Sequence, residues 1–113
     1  MDIKQYAIYY ADLSPVVGSE QGGLRPVVIV SNDMGNKYSP VVIAAPVTSR
    51  VGKKRLPTQI IITSRGGLST DSMVMCEQIR TIDKSRLSSY IGKLTDIEKY
   101  AIRKALKISL GVE

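Results

Sequence analysis

At 113 residues with 43% apolar side chains, the chain suits one domain, 1–113, with one modest core, and it is too apolar for disorder. Sixteen Lys and Arg against ten Asp and Glu leave a net charge of +6, which suits a polyanionic partner as well as plain solubility. The absence of His excludes imidazole acid–base catalysis, Ser–His and Cys–His nucleophiles and His-liganded metal, so any catalysis must use Arg, Lys, Glu, Asp, Ser, Thr or Tyr. One cysteine and scattered carboxylates make no zinc site, and neither a metal nor a cofactor is expected. The lone Cys76 cannot close an internal disulfide, in keeping with a reducing, cytoplasmic setting. No apolar run approaches the roughly 18–20 residues that span a bilayer, so no membrane association is expected, and the N-terminus does not read as a secretory leader.

In chain order, the first two thirds read as strands. Residues 6–12 (YAIYYAD) are rich in aromatic and aliphatic side chains and end at a Ser14-Pro15 turn signal. Residues 26–31 (PVVIVS) form a β-branched run of the kind buried on both faces, and residues 41–48 (VVIAAPVT) resemble it, with Pro46 suggesting a bulge or an edge. Residues 58–63 (TQIIIT) are a fourth candidate. Residues 73–82 alternate as one long fifth strand, with Val74, Cys76, Gln78 and Arg80 on one face. Residues 32–36 (NDMGN) read as a turn, and Asp83 caps a single helical turn ahead of a short strand near Tyr90-Ile91. Then the period changes. Thr95 and Glu98 form a capping box, and Ile97, Ala101, Ala105 and Ile108 recur at helical spacing until Gly111 ends the run. Short, closely spaced strands followed by one helix predict a mainly β (α+β) fold: a small barrel of bent antiparallel strands with a C-terminal helix.

Residues 18–26 (GSEQGGLRP) are the most informative stretch. Three glycines allow unusual backbone angles or a close approach, and Arg25 stands at the lip of a buried strand, where it can hold a phosphate and stabilise charge developing on it. The plain alternative is a flexible hairpin with solvated charges. Arg50, Lys53, Lys54 and Arg55 place four positive charges within six residues after Thr48, which is a solvated loop or, beside a phosphate site, a backbone clamp; Leu56 and Pro57 offer apolar surface to a base. Tyr10 or Tyr9 could stack a base, but strand alternation turns one of them inward. Asn32 could read a base edge. Gln78 and Arg80 admit structural and functional readings equally, and Cys76 reads as packing.

The stretch ADLSPVVGSEQGGLRPVVIVSND resembles the opening of the MazF/PemK family of bacterial toxins. The resemblance continues through Gly35-Asn36, Tyr38-Ser39-Pro40, Thr48, Leu56-Pro57-Thr58 and the EQIRTID of residues 77–83, covers essentially the whole chain, and is nearest to the branch typical of Gram-positive bacteria. It implies an SH3-like barrel with a C-terminal helix, as also in CcdB, and a homodimer. It further implies metal-independent cleavage of single-stranded RNA at short motifs, with 2′-OH attack leaving a cyclic phosphate and a 5′-OH, restrained by a MazE-type antitoxin. By the resemblance Arg25 and Thr48 are catalytic and Glu20 is implicated, either as the general base or as a residue that positions Arg25. Ser19, Gln21, Asn32, Tyr10, Arg50, Lys53, Lys54, Arg55, Leu56, Pro57, Gln78 and Arg80 are the candidate RNA contacts. One departure stands out: where most relatives have Arg-Gly-Asp before the first strand, this chain has Gln5-Tyr6-Ala7. A gyrase poison of the CcdB type and an RNA-binding barrel without cleavage are the alternatives.

Overall fold

A computed structural model describes residues 2–52 and 54–113. Its strands are β1 (Ala7–Asp12), β2 (Leu24–Ile29), β3 (Val41–Thr48), β4 (Gln59–Ile62), β5 (Ser72–Met75), β6 (Arg80–Asp83) and β7 (Leu87–Lys93). A one-turn helix α1 (Asp33–Tyr38) follows β2, and α2 (Asp96–Leu110) closes the chain. The ladders are antiparallel in the order β4-β5-β3-β2-β1-β7, with β6 pairing β3 as well.

The central strands are β-branched because both of their faces are buried. Along β2, Val28 joins a core with Ile8, Val47, Val74 and Ile102 of α2, while Val27 and Ile29 join a second core with Tyr9, Leu13, Val42 and Ile82. Covering both faces requires the sheet to bend sharply. Among the described residues no ladder joins β4 to β7, and a side chain spans that gap. Arg65 donates from Nε to the Thr63 carbonyl (2.9 Å) and from Nη1 to the Lys93 carbonyl (2.9 Å), and it forms a two-pronged ion pair with Glu98 in the first turn of α2. The bent sheet with its C-terminal helix is the architecture expected from strand spacing.

Four local readings change. The stretch 73–82 is not one strand, because a 3₁₀ turn at Cys76–Gln78 divides it. Val47 pairs Val74 and Ala44 pairs Arg80, so between these pairs two residues of β3 face five, and the turn takes up the surplus. Pro46 sits in a central strand rather than at an edge: it pairs Val27 at the end of the β2–β3 ladder, where β3 swings over to β5 and a missing N–H costs least. Residues 32–36 are not merely a turn, since the Asn32 side chain accepts from Gly35 N–H (2.7 Å) and caps α1. Finally, α2 is rotated from the predicted face. Glu98, Ile102 and Ala105 are buried, whereas Ile97 is 83% exposed, because Glu98 is drawn inward to Arg65 and to the Thr63 N–H (3.1 Å). The capping box itself forms as read, with Gly111 ending the helix at φ 68°.

Candidate active site

The site grows from the β1–β2 connection. Leu13 N–H donates to the Gly23 carbonyl (2.9 Å) and Gly23 N–H to Ser14 Oγ (3.1 Å), which pinches the loop at its base. Gly18 and Gly23 take φ of 57° and 77°, the left-handed region where glycine is at ease. Just past the pinch, Arg25 pairs Ala11 of β1, while Thr48 ends β3, two residues past the last β2–β3 pair, Val27–Pro46. Arg25 Nε donates to the Gly22 carbonyl (2.7 Å), which fixes the guanidinium plane and leaves its terminal nitrogens for a ligand. Thr48 is only 7% exposed, and its hydroxyl oxygen accepts from Arg50 N–H (3.2 Å), so its proton remains available to an acceptor.

Two clefts flank the loop. Arg25 opens into one of about 390 Å³ shared with Tyr10, Leu24, Ser49, Gly67 and Ser69. Glu20, with Ser19, Gln21, Pro46, Gln78 and Arg80, lines a second of about 520 Å³. Glu20 does not position Arg25: its Oε1 accepts from Val17 N–H (2.6 Å) and staples its own loop, while Gly22 holds the arginine. The side chain of Glu20 is exposed.

The remaining candidates divide by location. Gln78 Oε1 accepts from Gln21 N–H (2.8 Å) and Arg80 Nη1 donates to the Leu13 carbonyl (3.0 Å), so both tie the loop to the barrel while lining its cleft. Tyr10 lies in the Arg25 cleft with its hydroxyl on the Gly67 carbonyl (3.2 Å), and Tyr9 is the inward one of the pair. Burial first, then the neighbouring Tyr90 and Asp2, pushes the Tyr9 phenol upward. Arg50, Lys54, Arg55, Leu56 and Pro57 form an exposed loop after Thr48, and Lys53 lies outside the described residues. Asn32 is not brought to the site. It caps α1 beyond the far end of β2 from Arg25.

Sequence reading missed one wall of the Arg25 cleft. Ser49, Gly67, Ser69 and Thr70 line it. It also missed Arg65, whose partners Lys93 and Glu98 are remote in the chain. Among the described residues no group of three or more His, Cys, Asp or Glu could hold a metal ion, and no helix is long and apolar enough to cross a membrane.

Residues 4–110 match the family described as the PemK-like, MazF-like toxin of type II toxin-antitoxin systems. The chain belongs to that family. It is 52% identical over 106 residues to the Endoribonuclease MazF of Staphylococcus saprophyticus, covering 93% of this chain and 88% of the relative. It is 49% identical over 113 residues to the Endoribonuclease EndoA of Bacillus subtilis, covering 99% and 97%. Among solved structures, a MazF from Deinococcus radiodurans superposes with a TM-score of 0.81 at 26% identity, over 99% of both chains. An endoribonuclease in complex with its cognate antitoxin from a mycobacterial species gives 0.80 at 26% identity, covering 98% of this chain and 97% of that one. Both the fold and the family expected from residues 11–33 are therefore confirmed.

Proposed function

We propose that the chain is the endoribonuclease toxin of a type II toxin–antitoxin pair, acting in the cytoplasm as a homodimer on single-stranded mRNA and restrained by a MazE-type antitoxin. Endoribonuclease activity follows from relatives about half identical over nearly the whole chain. The observation that supports the chemistry is Arg25, locked by Gly22 at the mouth of a cleft, with Thr48 at the end of the neighbouring strand β3.

The reaction proposed needs no metal. A ribose 2′-OH attacks the adjacent phosphorus, its proton passes to a base, and the P–O5′ bond breaks. The departing 5′-oxygen takes a proton from solvent, leaving a 2′,3′-cyclic phosphate and a 5′-OH. Arg25 offers two parallel N–H donors to the non-bridging oxygens as charge accumulates on the phosphorane, and the Thr48 hydroxyl donates a further bond. Arginine holds its proton too tightly to serve as the base. Glu20 is the acceptor we propose: Val17 N–H occupies its Oε1 and leaves Oε2, and the RNA must pass over the loop that separates its cleft from that of Arg25. Ser19, Gln21, Gln78 and Arg80 on one side, and Tyr10 with the loop from Arg50 to Pro57 on the other, hold the RNA.

Incubation of a long single-stranded RNA with the protein in EDTA, followed by mapping of the new 5′ ends, tests this reading. Recurrent cuts at one short motif are expected, and Arg25→Ala should slow them by about 10²–10³ while leaving the thermal melt unchanged. Gyrase inhibition without RNA damage would overturn it. For Glu20, a full rate in Glu20→Gln across the pH range removes it as the base.

A further inference from the structure

The Arg25 cleft does not end where the catalytic pair does. Ser49, Ser69 and Thr70 line it and also line an adjoining, more open depression of about 830 Å³ whose remaining wall includes Val51, Ile61, Ser64 and Asp71. The two form one trough running from Arg25 past a row of hydroxyls. The loop from β4 to β5 that carries this row is held firmly. Arg65 and Leu68 exchange backbone hydrogen bonds of 3.0 and 2.7 Å, and the Tyr10 hydroxyl holds the Gly67 carbonyl. Gly66, at φ 47°, lies against β7 so closely that a Cβ there would stand 2.1 Å from the Ile91 carbonyl oxygen. Asp71 accepts from Ser64 N–H (3.0 Å), and Ser72 Oγ donates to the Thr70 carbonyl (3.1 Å). None of these bonds uses the hydroxyl of Ser69 or Thr70, and both side chains are exposed.

A fixed loop presenting uncommitted hydroxyls is a preorganised hydrogen-bonding surface, and binding to it loses little ordering entropy. The chemistry of the trough narrows what it takes. Among the described residues, Arg25 is its one cation and Asp71 its one carboxylate, already engaged by Ser64. Beyond Arg25 the polar partners are neutral groups that both donate and accept. A hydroxyl can donate to a phosphate oxygen and accept from a ribose 2′-OH, which suits a sugar–phosphate backbone leaving a strongly bound phosphate better than it suits a second isolated anion.

Resting on the endoribonuclease reading, we propose that Ser69 and Thr70, with Ser49 opposite, bind the ribose–phosphate of the nucleotide next to the scissile phosphodiester and recognise its 2′-OH. Ribose is then sensed twice: once chemically, at the attacking hydroxyl, and once by contact in the trough.

The test measures binding by fluorescence anisotropy of a short single-stranded RNA that carries the mapped cleavage site and a 2′-deoxy sugar at the attacking position. That probe cannot be cut. The double variant Ser69→Ala/Thr70→Val should bind it about five- to tenfold more weakly, the worth of one or two net hydrogen bonds, with an unchanged melt. A second 2′-deoxy sugar, placed in turn on each neighbouring nucleotide, should weaken wild-type binding several-fold at one position and add nothing to the variant's loss there. Equal binding by variant and wild type, or penalties that multiply at every position, would overturn the trough assignment while leaving the nuclease intact. A wild type that neither cuts nor binds RNA would overturn both.

Discussion

Tyr6 takes φ 70°, a conformation that strains a bulky side chain, at the position where the family's Arg-Gly-Asp has its glycine. The sequence shows a tyrosine here, but not that its backbone takes a positive φ. Remote bonds impose that geometry, from Tyr6 N–H to the Ile29 carbonyl (2.6 Å) and from Leu94 N–H to the Tyr6 carbonyl (3.0 Å). The ring repays the strain, since it is buried in the main core with the Arg103 guanidinium 5.7 Å from its centroid. Strain of about 1–3 kcal/mol is set against about 3–5 kcal/mol for deleting a buried aromatic ring. Tyr6→Gly, although it restores the family residue, should therefore destabilise this chain by about 2 kcal/mol, read from the urea midpoint. A more stable variant would show that strain dominates. Cys76 supports a simpler expectation. Burial first, and Glu77 second, push its thiol up to about 12, so little thiolate exists near neutral pH. Reaction with a thiol reagent at pH 8 should proceed only as fast as the protein unfolds, and a fast phase in the native state would contradict the buried placement.

At the level of elements, the strands with strong β-branched patterns were legible almost to the residue, as β3 shows. Where reading failed, a distant partner decided the outcome. The division of residues 73–82 follows from both halves pairing the single bent strand β3, and no local pattern signals that. Glu98 could be recognised as a capping-box residue, but its burial could not, because it depends on Arg65 and Thr63, more than thirty positions earlier in the chain. That cluster has a consequence for stability. Burial alone would raise the Glu98 carboxyl, yet hydrogen bonds from Arg65, Thr95 and Thr63, together with the Arg65 charge, outweigh it and hold the group below the usual carboxylate range. A carboxylate depressed in the folded state contributes its full stability above the unfolded value of about 4.3 and loses it as pH falls through the folded value. The Tm difference between wild type and Glu98→Gln should therefore be largest near pH 7 and shrink on acidification below about pH 4. Arg65→Met at neutral pH should cost about 3 kcal/mol, because it leaves a mostly buried carboxylate unpaired where β4, β7 and α2 meet. A difference that does not change with pH would show that Glu98 acts through packing alone.

Across the whole molecule, the +6 charge is not spread evenly in function. Arg65 is taken up by Glu98, while Arg80 and Arg86 donate to carbonyls of Asp12, Leu13 and Ser14 and brace the loop between β1 and β2. Arg65 and Arg86 are structural, and Arg80 braces the loop while it lines the cleft beside Glu20; the sequence could not separate them from the rest, because a carbonyl partner leaves no mark in composition. The cations of the loop after Thr48 differ: Arg50, Lys54 and Arg55 are exposed on a segment that leads directly from the end of β3. If this loop clamps RNA, its work is done through phosphate charge. Each phosphate neutralised on a single strand contributes about 0.7 to the slope of log K against log salt. Replacing Arg50, Lys54 and Arg55 together by Gln should flatten that slope by about 2 and weaken binding most at low salt. The Tm should be unchanged, since exposed charges away from a core contribute little to folding. The same variant should keep the wild-type cleavage motif, because contacts to phosphate fix position without reading sequence, whereas loss in the Glu20 or Ser69–Thr70 clefts should alter which RNA is held. An unchanged slope would assign these three cations to solvation, and the RNA backbone would then be gripped by Arg25 and the hydroxyl trough alone.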